Sequence, residues 1–262
     1  MNLDLKNKRA IVCGSTQGIG KAAAMELAML GANVTLIARN EQALKQTKLE
    51  LSNNGSQLHS YICADFNEPQ KLKELVEQFI QRTGIVNILV NNTGGPPSGP
   101  IINAKQDEFI VAFNNHLICN HLLTQVCMEG MKQSGYGRVI NVISTSVKQA
   151  LPNLGVSNTI RAAVGNWAKT MANELGKFGI TVNNVLPGAT STKRLDTIIE
   201  NKAIKTNLRN DDIKKEMLHE IPLGRFADPS EVANAIAFLA SPAAAYINGI
   251  NLPVDGGRTS SL

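Results

Sequence analysis

Aromatic residues are scarce, 4% of the chain, and nowhere do they alternate with a basic tract. The basic excess, 26 Lys and Arg against 21 Asp and Glu, is spread along the sequence, so nothing supports a nucleic-acid surface. Cysteine is also short. Cys13, Cys63, Cys119 and Cys127 form no CxxC pair, and the four histidines add no ligand pair at metal spacing, which argues against a metal module. The thiols read as reduced core residues of a cytoplasmic protein. An unbroken apolar run of membrane length is missing too: Val232 to Val254 carries no Asp, Glu, Lys or Arg, but Asn234, Pro242, Asn248, Gly249, Asn251 and Pro253 punctuate it. The opening "MNLDLKNKRAIVCG" has no apolar segment between its charges and the first strand, so no signal peptide is expected. Without internal repeats or low-complexity linkers, the 262 residues read as one domain, 1–262.

What is present alternates. "RAIVCG" is a short apolar run ending in Gly, "GIGKAAAMELAMLGA" has helix periodicity, and "NVTLIAR" is a second strand, which together make one βαβ unit. The helix "EQALKQTKLELSNN", the strand "LHSYICAD", the helix "EPQKLKELVEQFIQRTG" opened by Pro69, and the strand "VNILVNN" continue the pattern. A long helix from about Asp107 to Gln133 follows, then the strand "GRVINVIS", the helix "GVSNTIRAAVGNWAKTMANELG" and the strand "ITVNNVLPG". Six strand–helix alternations predict an α/β fold, a doubly wound Rossmann-type parallel sheet with helices on both faces. Thr190 to Glu220 breaks the rhythm: charged, polar and placed after a strand end, it reads as a lid-like helical insert at about 190–220. The tail resumes with the helix "DPSEVANAIAFLAS", where Asp228 or Ser230 could act as cap, and a last strand "INLPVDGG".

The first turn, "CGSTQGIGKAAA", sets Gly14, Gly18 and Gly20 between strand and helix. In a doubly wound sheet such a turn brings backbone N–H groups and the positive end of a helix against a pyrophosphate. The competing phosphate loop GxxxxGK[ST] fails, because Ser15 stands five residues before Gly20 and Ala22 follows Lys21. At the end of the second strand, where an acidic residue would hold the ribose hydroxyls of NAD, stand Arg39 and Asn40. A guanidinium there suits the 2′-phosphate of NADP, so NADP(H) is favoured over NAD(H).

The helix from Gly155 to Gly176 carries Arg161 on the same stripe as Val164, Ala168, Met171 and Leu175. That charge either snorkels to water from the edge of the stripe or reaches an anion in a cleft. Ser157, four residues earlier, is also placed to cap the helix.

At this point the sequence resembles the short-chain dehydrogenase/reductase family over nearly its whole length. The likeness is carried by "GSTQGIG", "AD" at Asp65, "NNTGG" at Asn91 to Gly95, "NNVLPG", and "IPLGRFADPSEVANAIAFLAS" followed by "VDGG". By pattern it is most similar to 3-oxoacyl-(acyl carrier protein) reductases, which implies a cytoplasmic homotetramer reducing a small carbonyl or acyl substrate with NADPH. The resemblance implies cofactor contacts at Gly14, Ser15, Gln17, Gly18, Ile19, Gly20, Arg39, Asp65, Phe66, Asn92, Thr93, Gly94, Arg161, Pro187 and Gly188. It also implies a catalytic tetrad of Ser, Tyr, Lys and Asn, and here this sequence departs from the family. Ser144 matches the Ser, but Ser157 stands at the Tyr position, Arg161 at the Lys position and His116 at the Asn position. Asn115 is one residue, about 100° of helix, away from that face.

A serine hydroxyl is less acidic and shorter than a phenol, and a guanidinium holds its proton. Two readings follow. In one, the chain is an oxidoreductase in which His116, the nearby group titrating near neutrality, supplies a proton through Ser157 or water while Arg161 binds a carboxylate or oxyanion. In the other it is a catalytically impaired dinucleotide-binding protein, a sensor or an oligomer subunit. Pro96, Pro97 and Pro100 in "NNTGGPPSGP" either reshape the pocket wall or stiffen a surface loop.

Overall fold

A computed structural model of the chain describes residues 1–54 and 56–261. The strands are β1 (Arg9–Cys13), β2 (Asn33–Ala38), β3 (Ser60–Cys63), β4 (Ile88–Asn91), β5 (Gly137–Val142), β6 (Ile180–Pro187) and β7 (Asn251–Val254). They pair in the order β3-β2-β1-β4-β5-β6-β7, every pair parallel. Period-two alternation divides each strand between two cores. Ala10 and Val12 face one side of the sheet, and Ile11 and Cys13 face the other.

On the first side pack α1 (Gly18–Met29), α2 (Glu41–Glu50) and α9 (Pro229–Ala240). The small residues Ala23, Ala24 and Ala28 of α1 and Ala233 and Ala237 of α9 let these two helices approach closely. The second side is covered by α3 (Pro69–Thr83), α5 (Cys119–Ser134) and α6 (Gly155–Leu175), through Leu72, Val76, Leu123, Met131, Ala168 and Ala172. The chain therefore changes sides between β1 and β4. That switch point opens a crevice beyond the carboxyl ends of the strands.

Several expectations need correction. The long helix predicted from Asp107 to Gln133 is α4 (Gln106–Phe113), a π-helical turn at Asn114–Ile118 and then α5. Such a turn inserts a residue into the helix and is invisible to a 3.6-residue periodicity. Cys13, Cys119 and Cys127 are buried, but Cys63 is exposed, its thiol donating to the Arg39 carbonyl at 3.3 Å. α6 starts at Gly155 with Leu154 as its N-cap, so Ser157 lies inside the first turn and caps nothing. Of the two candidate caps before α9, Asp228 takes the role, accepting from the Ser230 N–H at 2.8 Å while Glu231 closes a capping box.

The 190–220 segment forms α7 (Lys193–Thr206) and α8 (Asn210–His219). Leu195, Ile199, Ala203 and Ile213 make a small core of their own. A Lys202–Glu216 ion pair at 2.9 Å ties the two helices together. Among the described residues no helix is long and apolar enough to cross a membrane.

A polar row runs through the sheet's second face. Asn91 Nδ2 donates to Asn141 Oδ1 at 2.9 Å, Asn141 Nδ2 to Asn184 Oδ1 at 2.9 Å, and Asn184 Nδ2 to Asn251 Oδ1 at 2.7 Å. The four residues are register partners on β4, β5, β6 and β7, and three of them are buried. Each amide N–H donates to the next oxygen, which is what permits polar side chains between strands and helices, and only Asn91 Oδ1 at the end of the row is buried without a partner.

Candidate active site

The glycine turn lies at the switch point. Gly14 has φ +59°, and a Cβ there would stand 2.6 Å from the Asn92 carbonyl. On Gly20 it would stand 2.2 Å from the Gly14 carbonyl, so no side chain fits at either position. Asn92 Nδ2 donates to the carbonyls of Cys13 at 3.2 Å and Gly14 at 3.4 Å, locking the end of β4 to the end of β1. Gln17 takes the N-cap position of α1 without capping by its side chain, which leaves the first-turn N–H groups to other acceptors. Ser15 is buried, and its hydroxyl donates to Ile37 O at 3.4 Å. Ile19 packs on the first core. Thr192, the N-cap of α7, lies over the turn, its methyl 3.1 Å from where a Gly18 Cβ would be. This open cradle of backbone donors fits a pyrophosphate.

The other expected cofactor residues stand around the same edge. Arg39 is exposed just past β2. Asp65, after β3, accepts from the backbone and side chain of Asn67 at 2.9 and 3.0 Å. Phe66 turns its ring into the second core, and its carbonyl accepts from the Cys119 thiol, so the side chain is not offered to a nucleotide. Gly94 is exposed, Pro187 ends β6, and the Gly188 N–H is held by Val254 O at 2.9 Å.

Thr93 links two of the four tetrad positions, His116 and Arg161. Its hydroxyl shares a hydrogen bond with His116 Nδ1, and its carbonyl accepts from Arg161 Nη2 at 3.5 Å. Arg161 Nη1 donates to Val142 O at 2.9 Å. At 7% exposure the guanidinium does not snorkel; it lies inward and uses backbone carbonyls as partners. Burial, and then the neighbouring Arg194, push its pKa down to about 10, so it is charged at neutral pH.

The π-turn aims His116 at Thr93 and buries it to 2% exposure. Burial, and then the Arg161 charge, drive the imidazole down to about 2. The expectation that His116 titrates near neutrality is therefore overturned. It is a neutral ring that holds Thr93. Asn115 points elsewhere, donating to Asn67 Oδ1 at 3.0 Å.

Ser144 follows β5, and its Oγ accepts from the Ser146 N–H at 3.1 Å. Its own hydrogen therefore stays available for donation. Ser157 is half-buried one turn before Arg161, on the same face of α6.

One feature escaped the sequence reading. Arg194 donates from Nη2 to Pro96 O at 2.8 Å, reaching across from α7 to the loop after β4. In "TSTKRLDT" it reads as one more solvated charge. Of the three prolines expected either to reshape the pocket wall or to stiffen a surface loop, Pro96 is buried on the side facing Arg194, and Pro97 and Pro100 are exposed. Among the described residues, no three His, Cys, Asp or Glu come together as a metal site.

Comparison with known proteins gives a consistent picture. A family model described as enoyl-(acyl carrier protein) reductase matches residues 14–259. The chain is similar to 3-oxoacyl-(acyl-carrier-protein) reductase FabG of Vibrio cholerae serotype O1, 34% identical over 257 residues that cover 97% of this chain and 98% of that one. It is also similar to the (S)-acetoin-forming diacetyl reductase of Staphylococcus epidermidis, at 32% over 96% and 98% of the two chains. Among solved structures, L-sorbose reductase from Gluconobacter frateurii, complexed with NADPH and L-sorbose, superposes with a TM-score of 0.93, 28% identity and full coverage of both chains. YwfH, an NADPH-dependent reductase involved in bacilysin biosynthesis, superposes with a TM-score of 0.92 at 26% identity, covering 97% of this chain and 99% of its own.

Proposed function

The chain belongs to the short-chain dehydrogenase/reductase family, and from that premise we propose that it is an NADPH-dependent reductase of a small carbonyl compound with a rebuilt catalytic centre. The observation that carries this reading is the side-chain-free cradle at Gly14 and Gly20, clamped by Asn92 and open at the N-terminus of α1. Gly14, Ser15, Gln17, Gly18, Ile19 and Gly20 would hold the pyrophosphate, Asp65 and the Phe66 backbone the adenine side, and Asn92, Thr93, Gly94, Pro187 and Gly188 the nicotinamide side. Arg39 would pair with the 2′-phosphate and so set the preference for NADP(H). When bound, the reduced nicotinamide supplies a hydride to an electrophilic carbon.

The chain's own residues do the rest. As the carbonyl carbon accepts the hydride, the π pair moves to oxygen, and that oxygen takes one proton. Ser144 donates a hydrogen bond to it, and the Arg161 guanidinium stabilises the developing negative charge. Arg161 keeps its own proton at neutral pH, and His116 is held neutral as a positioning residue for Thr93. The proton is therefore drawn from water through the hydroxyls of Ser144 and Ser157. Without a phenol as acid, turnover is expected to be lower by roughly 10²- to 10⁴-fold than with one.

The absence of an acid titrating near neutrality in this cluster favours a second reading, a dinucleotide-binding sensor or oligomer subunit. Calorimetric titration with NADPH and NADH, followed by loss of nicotinamide absorbance against a panel of ketones, aldehydes and oxo acids, separates the two. Binding of NADPH with transfer to one acceptor supports the enzyme, binding with no transfer supports the sensor, and failure to bind either cofactor defeats both. We further propose that the protein is cytoplasmic, like the reductases it resembles, and a homotetramer, because α4 leaves Ile110, Val111 and Phe113 between 39% and 49% exposed.

A further inference from the structure

Arg161 and Arg194 come from different elements and converge on one point. From the position of a Cβ on Gly95, Arg194 Nη2 is 3.6 Å away and Arg161 Nη2 3.9 Å. Neither guanidinium has a carboxylate partner. Each donates only to main-chain carbonyls, Arg161 to Val142 and Thr93, Arg194 to Pro96. The nine ion pairs among the described residues all use other cations. The only charge that perturbs Arg161 is Arg194, and it does so unfavourably.

Arg161 is buried while Arg194 is exposed to water on its other side, so their repulsion is screened only in part and an anion between them lowers the energy. Carbonyl dipoles only partly offset the repulsion. The loop supplies the space: Gly95 brings no side chain into the gap, and its φ is not in the left-handed region, so glycine is not required there by the backbone. Two flat guanidinium groups reaching one small gap suit a planar carboxylate held by several N–H donors. The gap also adjoins the reacting centre. Arg161 holds Val142 O, and Ser144 lies two residues further along the same chain.

We infer that Arg161 and Arg194 bind the carboxylate of the substrate across Gly95, so that the compound reduced is a small oxo acid rather than a neutral ketone or a thioester-linked acyl chain. This rests on the reductase reading above, and the test separates the two.

The probe is oxamate, a carboxylate-bearing mimic of a 2-oxo acid, with its neutral ethyl ester as control. Both are titrated calorimetrically into the protein with and without saturating NADPH. Oxamate is expected to bind, and the ester to bind roughly tenfold or more weakly. Arg194→Gln is expected to weaken oxamate by roughly tenfold or more while NADPH affinity stays within about twofold. Gly95→Ala keeps both charges and puts a methyl group into the gap at ordinary contact distances, so it should weaken oxamate without a drop in melting temperature.

Equal binding of oxamate and ester, or no oxamate binding to protein that binds NADPH, overturns the anion site and leaves the reductase standing. A fall in NADPH affinity in Arg194→Gln with oxamate unchanged also overturns it, because the arginine then serves the cofactor. Oxamate binding that depends on Arg194 and Gly95 in protein that fails to bind NADPH supports the anion site and defeats the reductase reading.

Discussion

His116 shows how much a side chain's surroundings decide what it can do. As a histidine in a predicted tetrad it invites the role of acid, but at 2% exposure beside Arg161 its imidazole is held neutral. The sign of the stability effect follows. The unfolded chain takes up a proton as pH falls below about 6.5, while the folded chain does not, so this group destabilises the fold progressively from there down towards pH 2. The expected slope is about 1.4 kcal/mol per pH unit below about pH 6. Urea titrations at several pH values should show it in the parent protein and not in His116→Gln. If the protein is a reductase, the pH–rate profile of His116→Gln should show no missing ionisation above about pH 5, since the ring does not titrate there.

Arg39 offers a second residue-scale expectation. It is exposed just past β2, and the proposed reading pairs it with the 2′-phosphate of NADP. Arg39→Ala should weaken NADPH by about 1.5–3 kcal/mol, roughly 10- to 100-fold, and leave NADH unchanged in the same calorimetric titration. Equal losses for both cofactors would show that the residue does not read the phosphate.

Residue type and stripe position made parts of the site legible in advance. Three glycines in a turn point to close backbone approach, and the stripe from Arg161 to Leu175 sets the side chain on the apolar face without deciding whether its guanidinium turns inward or snorkels. Arg194 was illegible because nothing in "TSTKRLDT" distinguishes a side chain that reaches back to Pro96 from one that points into water. A serine near a helix start is compatible with a cap, and only the backbone, with Leu154 at the N-cap, shows that Ser157 lies inside the first turn.

Elements were legible where period and apolar content agree. Each strand was found because Val, Ile and Leu cluster between Gly, Asn and Pro, and each strand end fell within a few residues of its observed place. The π-turn in Asn114–Ile118 was not, since a one-residue insertion leaves the apolar pattern on both flanks intact. Nor was the asparagine row. Asn91, Asn141, Asn184 and Asn251 look like polar interruptions in four strands, and only the register joins them.

That row carries an element-scale expectation. Asn141→Ala removes a central member and leaves Asn91 Nδ2 and Asn184 Oδ1 without partners, at a cost of about 2–5 kcal/mol. Asn251→Ala breaks only the half-buried end and should cost about 1 kcal/mol. Equilibrium urea unfolding of the two variants gives the comparison, and similar losses would mean the row does not act as a connected network.

At the scale of the whole molecule, the exposed apolar residues of α4 are the feature the isolated chain does not account for. If Ile110, Val111 and Phe113 are covered by a second copy, light scattering should report a tetramer for the parent protein and a smaller species for Val111→Glu. An unchanged mass would place the contacts between copies elsewhere.

The packing of α1 on α9 has a consequence in time as well as in space. α1 carries the end of the glycine turn, and its apolar face is covered by residues 229–240, more than two hundred positions later in the chain. A ribosome delivers the sequence from its first residue onward, so β1, β2 and β3 can pair while α1 still has one flank uncovered. The apolar face of α1 is thus among the first parts synthesised and among the last to be covered, and α1 stays accessible to proteases until α9 emerges.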